Sequence, residues 1–267
     1  VLRDDVLPEV LRRFSSAEPE LDNGFAEHAP MGAEAMLSLG IDPQVVLDWS
    51  QRHAPSPPRP SSRHAAVRSA IAAELELDDW SEVLVRHCVP LVPRLDVHLF
   101  HGLIRTAHAA RAIAASESDA ARSELAAGLA AWTVWAGDVE PAPAAPASSD
   151  PLGEVVEMAR RGAVAFTERP SIVTIHATTA PMAYVLLAEH LDTTSHAIAA
   201  AVFSRTHRRH PLPPARPTSD RFPGTGELEA LALRWDAHPA KLVEAASRGY
   251  ALTGDAAFVE AAVAMMG

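Results

Sequence analysis

The chain has one cysteine, one lysine, 13 glycines and 5% aromatic residues in 267 positions. Each shortage removes a class of answer. The single thiol, Cys88, excludes an internal disulfide framework and any zinc site built on several thiolates, and it fits a reducing, cytoplasmic compartment. The scarcity of aromatics and of period-two β-branched runs argues against a barrel or sandwich; the nearest approach to a strand is Ser171 to Ile175. Acidic residues outnumber basic ones 34 to 23, a formal charge of −11, so no positive field draws in a phosphate backbone and nucleic acid is not an expected partner. Apolar residues never run uninterrupted for roughly 18 positions, and no basic region precedes an apolar one near the start, so neither a membrane span nor export is expected. A Gly-x-Ser-x-Gly elbow is missing, as is a Gly-x-Gly-x-x-Gly after a strand, which speaks against a serine hydrolase and a dedicated dinucleotide domain.

Alanine is what the chain has in quantity, 52 residues within an apolar share of 48%. That composition favours closely packed helices. Proline-rich polar stretches at 55–62, 141–151 and 211–223 interrupt any helix. Between them lie segments of helical composition at 6–16, 31–53, 64–76, 80–88, 95–136, 152–168, 172–206, 226–236 and 239–266. Gly40 and Gly137 stand where a glycine ends a helix, and Asp42-Pro43 and Asp150-Pro151 pair a capping acid with a proline that starts one. The expectation is an all-α fold, a single compact multi-helix domain over 1–267 with proline-rich connecting loops.

The chemical resource is histidine, 13 residues, about twice the average share. His53, His64, His207 and His210 lie in or beside the proline-rich stretches and are expected to face water. In His101-Gly-Leu-Ile-Arg105-Thr-Ala-His108 the three polar side chains fall within about 60° on a helical wheel. This stripe faces either water or an internal cavity. Met31, Met36 and Met182 fit either a cavity wall or ordinary core, and Cys88 reads as a buried thiol rather than a nucleophile.

Of 23 cationic residues all but one are arginine, and the exception is Lys241. It survives by chance or because an amine is needed there. Pro239 starts a helix and places Lys241 in its first turn, where the helix dipole disfavours a cation. A neutral buried amine adds carbon dioxide to give an anionic carbamate, which a guanidinium cannot do because it does not deprotonate. His238 is close enough in sequence to share a metal with it.

Four pieces occur in a fixed order: Asn23-Gly-Phe-Ala-Glu-His28-Ala-Pro-Met31-Gly-Ala-Glu-Ala, His101-Gly-Leu-Ile-Arg105-Thr-Ala-His108-Ala, Ile175-His176-Ala-Thr-Thr-Ala-Pro181 and His238-Pro-Ala-Lys241-Leu. In these the chain resembles the questin oxidase-like proteins. The resemblance implies a helical oxygenase that breaks a carbon–carbon bond in a polycyclic aromatic polyketide or quinone, by a Baeyer–Villiger-type or dioxygenative ring opening. It implies mononuclear non-haem Fe(II) held by four histidines and a carboxylated lysine, with dioxygen as co-substrate and carbon dioxide forming the carbamate. Carried onto this chain, the metal ligands come from His28, His101, His108, His176, His238 and Lys241, five imidazoles for four places. The one left over suits proton transfer, and Arg105 and His108 are the catalytic candidates. Arg105 either stabilises a developing phenolate or peroxide or forms a structural ion pair. Other readings are an NADPH-dependent monooxygenase without a Rossmann domain, a metal hydrolase, and a non-catalytic helical carrier of an aromatic metabolite.

Overall fold

Residues 3–21, 26–59, 62–137, 140, 148–209, 221–234 and 236–267 are described in a computed structural model. Thirteen α-helices occur among them, in the order α1 Arg3–Phe14, α2 Ala29–Ser38, α3 Pro43–Gln51, α4 Arg63–Leu77, α5 Trp80–Leu91, α6 His101–Ala115, α7 Asp119–Ala136, α8 Pro151–Glu168, α9 Ile172–Leu187, α10 Thr193–Arg209, α11 Thr225–Leu228, α12 His238–Thr253 and α13 Ala256–Met266. The fold is all-α; the sole β-pairing among the described residues is an isolated bridge between Glu20 and Ala26. Asn23 to Phe25, most of 141–151 and 211–223, and His210 lie outside the described residues, as does the side chain of His207.

Local chemistry sets the helix ends. Asp42 accepts from the N–H groups of Gln44 and Val45 at the head of α3, and Asp150 from Gly153 at the head of α8, each followed by a proline. Gly40 supplies the left-handed residue (φ 79°) that separates α2 from α3, and Gly254 (φ 68°) separates α12 from α13. The long segments of helical composition are therefore pairs of helices. The segment at 226–236 differs most, forming only the short α11 and a 3-10 turn over Glu229–Leu233.

Two apolar cores share α9. One joins α4, α5, α6 and α7 around Leu84, Leu103, Leu125 and Trp132; the other joins α1, α2, α3, α8, α12 and α13 around Phe14, Met36, Trp49 and Phe258. Met31, Met36 and Met182 are ordinary members of these cores. Small residues bring the central helices close: a Cβ on Gly162 of α8 would lie 2.4 Å from the Ala177 carbonyl of α9. Residues 172–190, α9 and the turn after it, have the length and apolarity of a membrane span, but 56% of that stretch is buried within the protein. It is the core helix on which the two halves meet.

Candidate metal centre

Four histidines from four distant segments converge on one point. His28 stands at the head of α2, His101 opens α6, His176 lies in the second turn of α9 and His238 opens α12. One ring nitrogen from each lies within 4.8 Å of all the others. The Nε2 atoms of His28 and His101 are 2.9 Å apart, and those of His176 and His101 are 3.1 Å apart.

The opposite ring nitrogens explain why the Nε2 atoms point inward. His101 Nδ1 donates to the His98 carbonyl at 2.6 Å, His176 Nδ1 to the Ile172 carbonyl at 2.7 Å, and His238 Nδ1 to Asp236 Oδ1 at 2.6 Å. A carbonyl or carboxylate can only accept, so each of these neutral rings carries its proton on Nδ1 and presents a lone pair from Nε2. This outer arrangement is the one that orients imidazoles toward a metal. His238 Nε2 is buried and has no hydrogen-bond partner among the described residues.

His101 owes its position to an unusual backbone. His98, Leu99 and Phe100 are all left-handed, with φ of 46°, 54° and 65°. Three such non-glycine residues in a row are costly, and here they reverse the chain so that the His98 carbonyl meets the His101 ring.

Electrostatics keep the cluster unprotonated. Burial, with the Lys241 charge next in effect, holds His28 and His176 well below the usual imidazole range and brings His101 down to about 3. His238 is lowered by the same two causes, partly opposed by Asp236. Lys241 is 1% exposed, its Nζ has no hydrogen-bond partner among the described residues, and burial brings its amine down to about 7. α12 begins at His238, one residue earlier than Pro239 suggests, and Lys241 remains in its first turn.

A cavity of about 420 Å³ reaches the cluster on one side. His28, His238, Glu27 and Asp236 bring polar atoms to it, while Leu21, Ala26, Ala29, Ile172 and Ala237 supply apolar wall. His53 also lines it; its Nδ1 pairs with the Trp49 carbonyl at 3.0 Å and its ring packs on Trp49.

His108 does not join the four. Seven residues separate it from His101, about 10.5 Å of helical rise, so the two share an angular face but not a height. Its Nδ1 donates instead to Glu34 at 2.6 Å. Arg105 turns toward α7, where Nε and Nη2 donate to the two oxygens of Glu124 at 2.7 and 2.9 Å. It does not line the cavity. The polar stripe of α6 thus faces the interior, where each member meets a different partner. His64 departs from its expected exposure: it sits in the first turn of α4, is 4% exposed, and burial brings it down to about 4. Cys88 is fully buried and its thiol is pushed far up by desolvation, which makes it unreactive.

The acids Glu27, Glu34, Asp236 and Glu244 carry no weight in the sequence-based site, although a signal exists. Glu34 and Glu244 are lone acids in otherwise apolar helical turns, Met-Gly-Ala-Glu-Ala-Met and Leu-Val-Glu-Ala-Ala. Asp236 stands two residues before a histidine at a helix start, where a carboxylate reaches both the backbone N–H and the ring.

Comparison with protein-family models, curated proteins and solved structures returns no match. The resemblance to questin oxidase-like proteins therefore rests on the quoted motifs.

Proposed function

We propose that the chain is a mononuclear non-haem iron oxygenase in which His28, His101, His176 and His238 hold the metal with Lys241, the lysine as a carbamate. The single observation that carries this reading is the approach of the His101 and His176 Nε2 atoms to 3.1 Å while both rings donate through Nδ1. Two lone pairs facing each other in a buried site repel unless a cation stands between them. A proton is a poor candidate, because His101 and His176 are both held far below neutrality. A divalent metal supplies the missing positive charge, and a donor set dominated by imidazole suits iron among the common biological choices.

The amine of Lys241, lowered by burial to about 7 and without a hydrogen-bond partner among the described residues, is available to add carbon dioxide and release one proton. The resulting anion offsets part of the metal charge, a role arginine cannot fill. When bound, iron supplies dioxygen activation and the redox capacity for oxygenation.

The protein's own residues supply the rest. The Asp236 carboxylate and the two backbone carbonyls fix the three rings in one tautomer. Leu21, Ala26, Ile172 and Ala237 give the cavity an apolar wall that suits a polycyclic aromatic polyketide or quinone, and helices rich in alanine exclude water from the opposite side.

The test is elemental analysis of untagged protein after anaerobic Fe(II) reconstitution with bicarbonate, followed by oxygen uptake with polycyclic hydroxyquinones. Stoichiometric iron is expected in the wild type, and its loss in His176→Ala and Lys241→Arg. A ¹³C-bicarbonate carbamate resonance that disappears in Lys241→Arg completes the case. Wild-type protein that takes up no iron sinks the proposal.

A further inference from the structure

Beside the histidine cluster lies a second assembly, built from the buried Glu34, His108 and Glu244 and the half-buried Arg111 and Arg248. The Arg111 fork binds both oxygens of Glu34, from Nε at 2.8 Å and Nη2 at 2.5 Å, and its Nη1 donates to Glu244. His108 Nδ1 and Ser38 Oγ add donors to Glu34 at 2.6 and 2.9 Å. Arg248 then binds Glu244 through Nε at 2.6 Å and Nη2 at 3.1 Å, and its remaining Nη1 donates to the Met182 carbonyl. The side chains of Glu34 and Glu244 are 5% and 3% exposed.

The helices joined in this way are α2, α6, α12 and α9, in that order. They are the same four that carry His28, His101, His238 with Lys241, and His176. Each contact lies between one and three turns from the metal-site histidine on its own helix. No member belongs to the four-histidine group.

We propose that Arg111 is a positioning residue, the centre of an ionic clamp that sets the mutual register of the four ligand-bearing helices and so fixes the spacing of the imidazoles. The inference rests on the metal-site reading above. Buried ion pairs add little net stability compared with apolar packing of the same volume, because desolvation offsets the attraction; their best-attested use is to specify register. Alanine-rich helices have special need of such a device, since small side chains interlock weakly and permit sliding. The fork geometry requires arginine: one planar guanidinium reaches two carboxylates on different helices, which a lysine ammonium does not reproduce.

The test uses Co(II) as the probe, read by its ligand-field spectrum and by titration, beside thermal unfolding of the same samples. Three variants are compared with wild type: Arg111→Lys, which keeps the charge; the charge-balanced pair Glu34→Gln with Arg111→Gln, which keeps the variant foldable if the first is not; and Leu125→Ala, a fully buried change on α7, which carries no ligand. Both clamp variants are expected to bind Co(II) about 10- to 100-fold more weakly, the usual effect of losing a group that orients a ligand, with a shifted spectrum. Leu125→Ala is expected to lower the unfolding temperature and leave affinity and spectrum unchanged. Wild-type affinity and spectrum in the clamp variants overturn the proposal. So does an equal loss of affinity in Leu125→Ala, which marks general destabilisation. Wild-type protein that binds no Co(II) removes the metal-site reading and this proposal with it.

Discussion

His101 and His176 point their Nε2 atoms at each other across 3.1 Å, and the other nitrogen of each ring is committed to a backbone carbonyl. Neither ring can relieve the contact by changing tautomer without breaking a buried hydrogen bond. The contact is held in place by the turn before α6 and by the first turn of α9. The burial that keeps these rings unprotonated is the origin of the first expectation.

Stability of the metal-free protein rises with pH through the neutral range. His28, His64, His101, His108, His176 and His238 are all lowered from 6.5, His64 to about 4 and His101 to about 3. Below 6.5 the unfolded chain binds protons that the fold refuses, so acidification from pH 7 to 5 favours unfolding. Lys241, lowered from 10.5 to about 7, acts with the same sign between those values: the unfolded amine is charged and the folded one is not. Lys241→Met removes this second contribution. In bicarbonate-free buffer containing a chelator, the variant is expected to unfold at higher temperature than wild type near pH 7, with the gap closing toward pH 10.5. A pH-independent gap contradicts the assignment.

The left-handed run before His101 gives an expectation of unusual sign. Glycine inside regular structure normally costs about 0.5–1 kcal/mol. Leu99 has φ 54°, ψ 42° and is 37% exposed, so Leu99→Gly relieves a conformation that costs a side chain roughly 1–2 kcal/mol while losing modest packing. A urea midpoint equal to or above that of wild type is expected. A loss greater than about 1 kcal/mol means that Leu99 packing outweighs the backbone.

Arg105 and Glu124, fully enclosed between α6 and α7, behave as a structural pair. Arg105→Met leaves an unpaired buried carboxylate and is expected to cost about 3–5 kcal/mol. The double variant Arg105→Met with Glu124→Leu is expected to recover most of that loss and to bind iron as wild type does. Failure of the double variant to recover stability, despite a normal fold by circular dichroism, means that Arg105 also offsets the nearby charge of Glu27.

The all-α architecture is legible in the sequence because alanine-rich segments, capping acids and proline breaks agree with one another, as at Asp42-Pro43 and Asp150-Pro151. The identity of four clustered histidines is legible only through motif order, since 73 residues separate His28 from His101 and 75 separate His101 from His176. Periodicity groups His108 with His101 because it measures angle and ignores height along the helix. It also leaves the partners of the stripe open, since Glu34 and Glu124 come from other helices. The left-handed residues at 98–100 lack a glycine signal altogether; tertiary contacts impose that geometry on His, Leu and Phe.

The same sequence separations have a consequence during synthesis. A growing chain releases His28 some 210 positions before His238, and no portion of it shorter than 28–241 contains all five groups. In the proposed metal centre, binding therefore waits until α12 has been made and docked, which guards a partly folded chain against capturing a reactive ion in an open site.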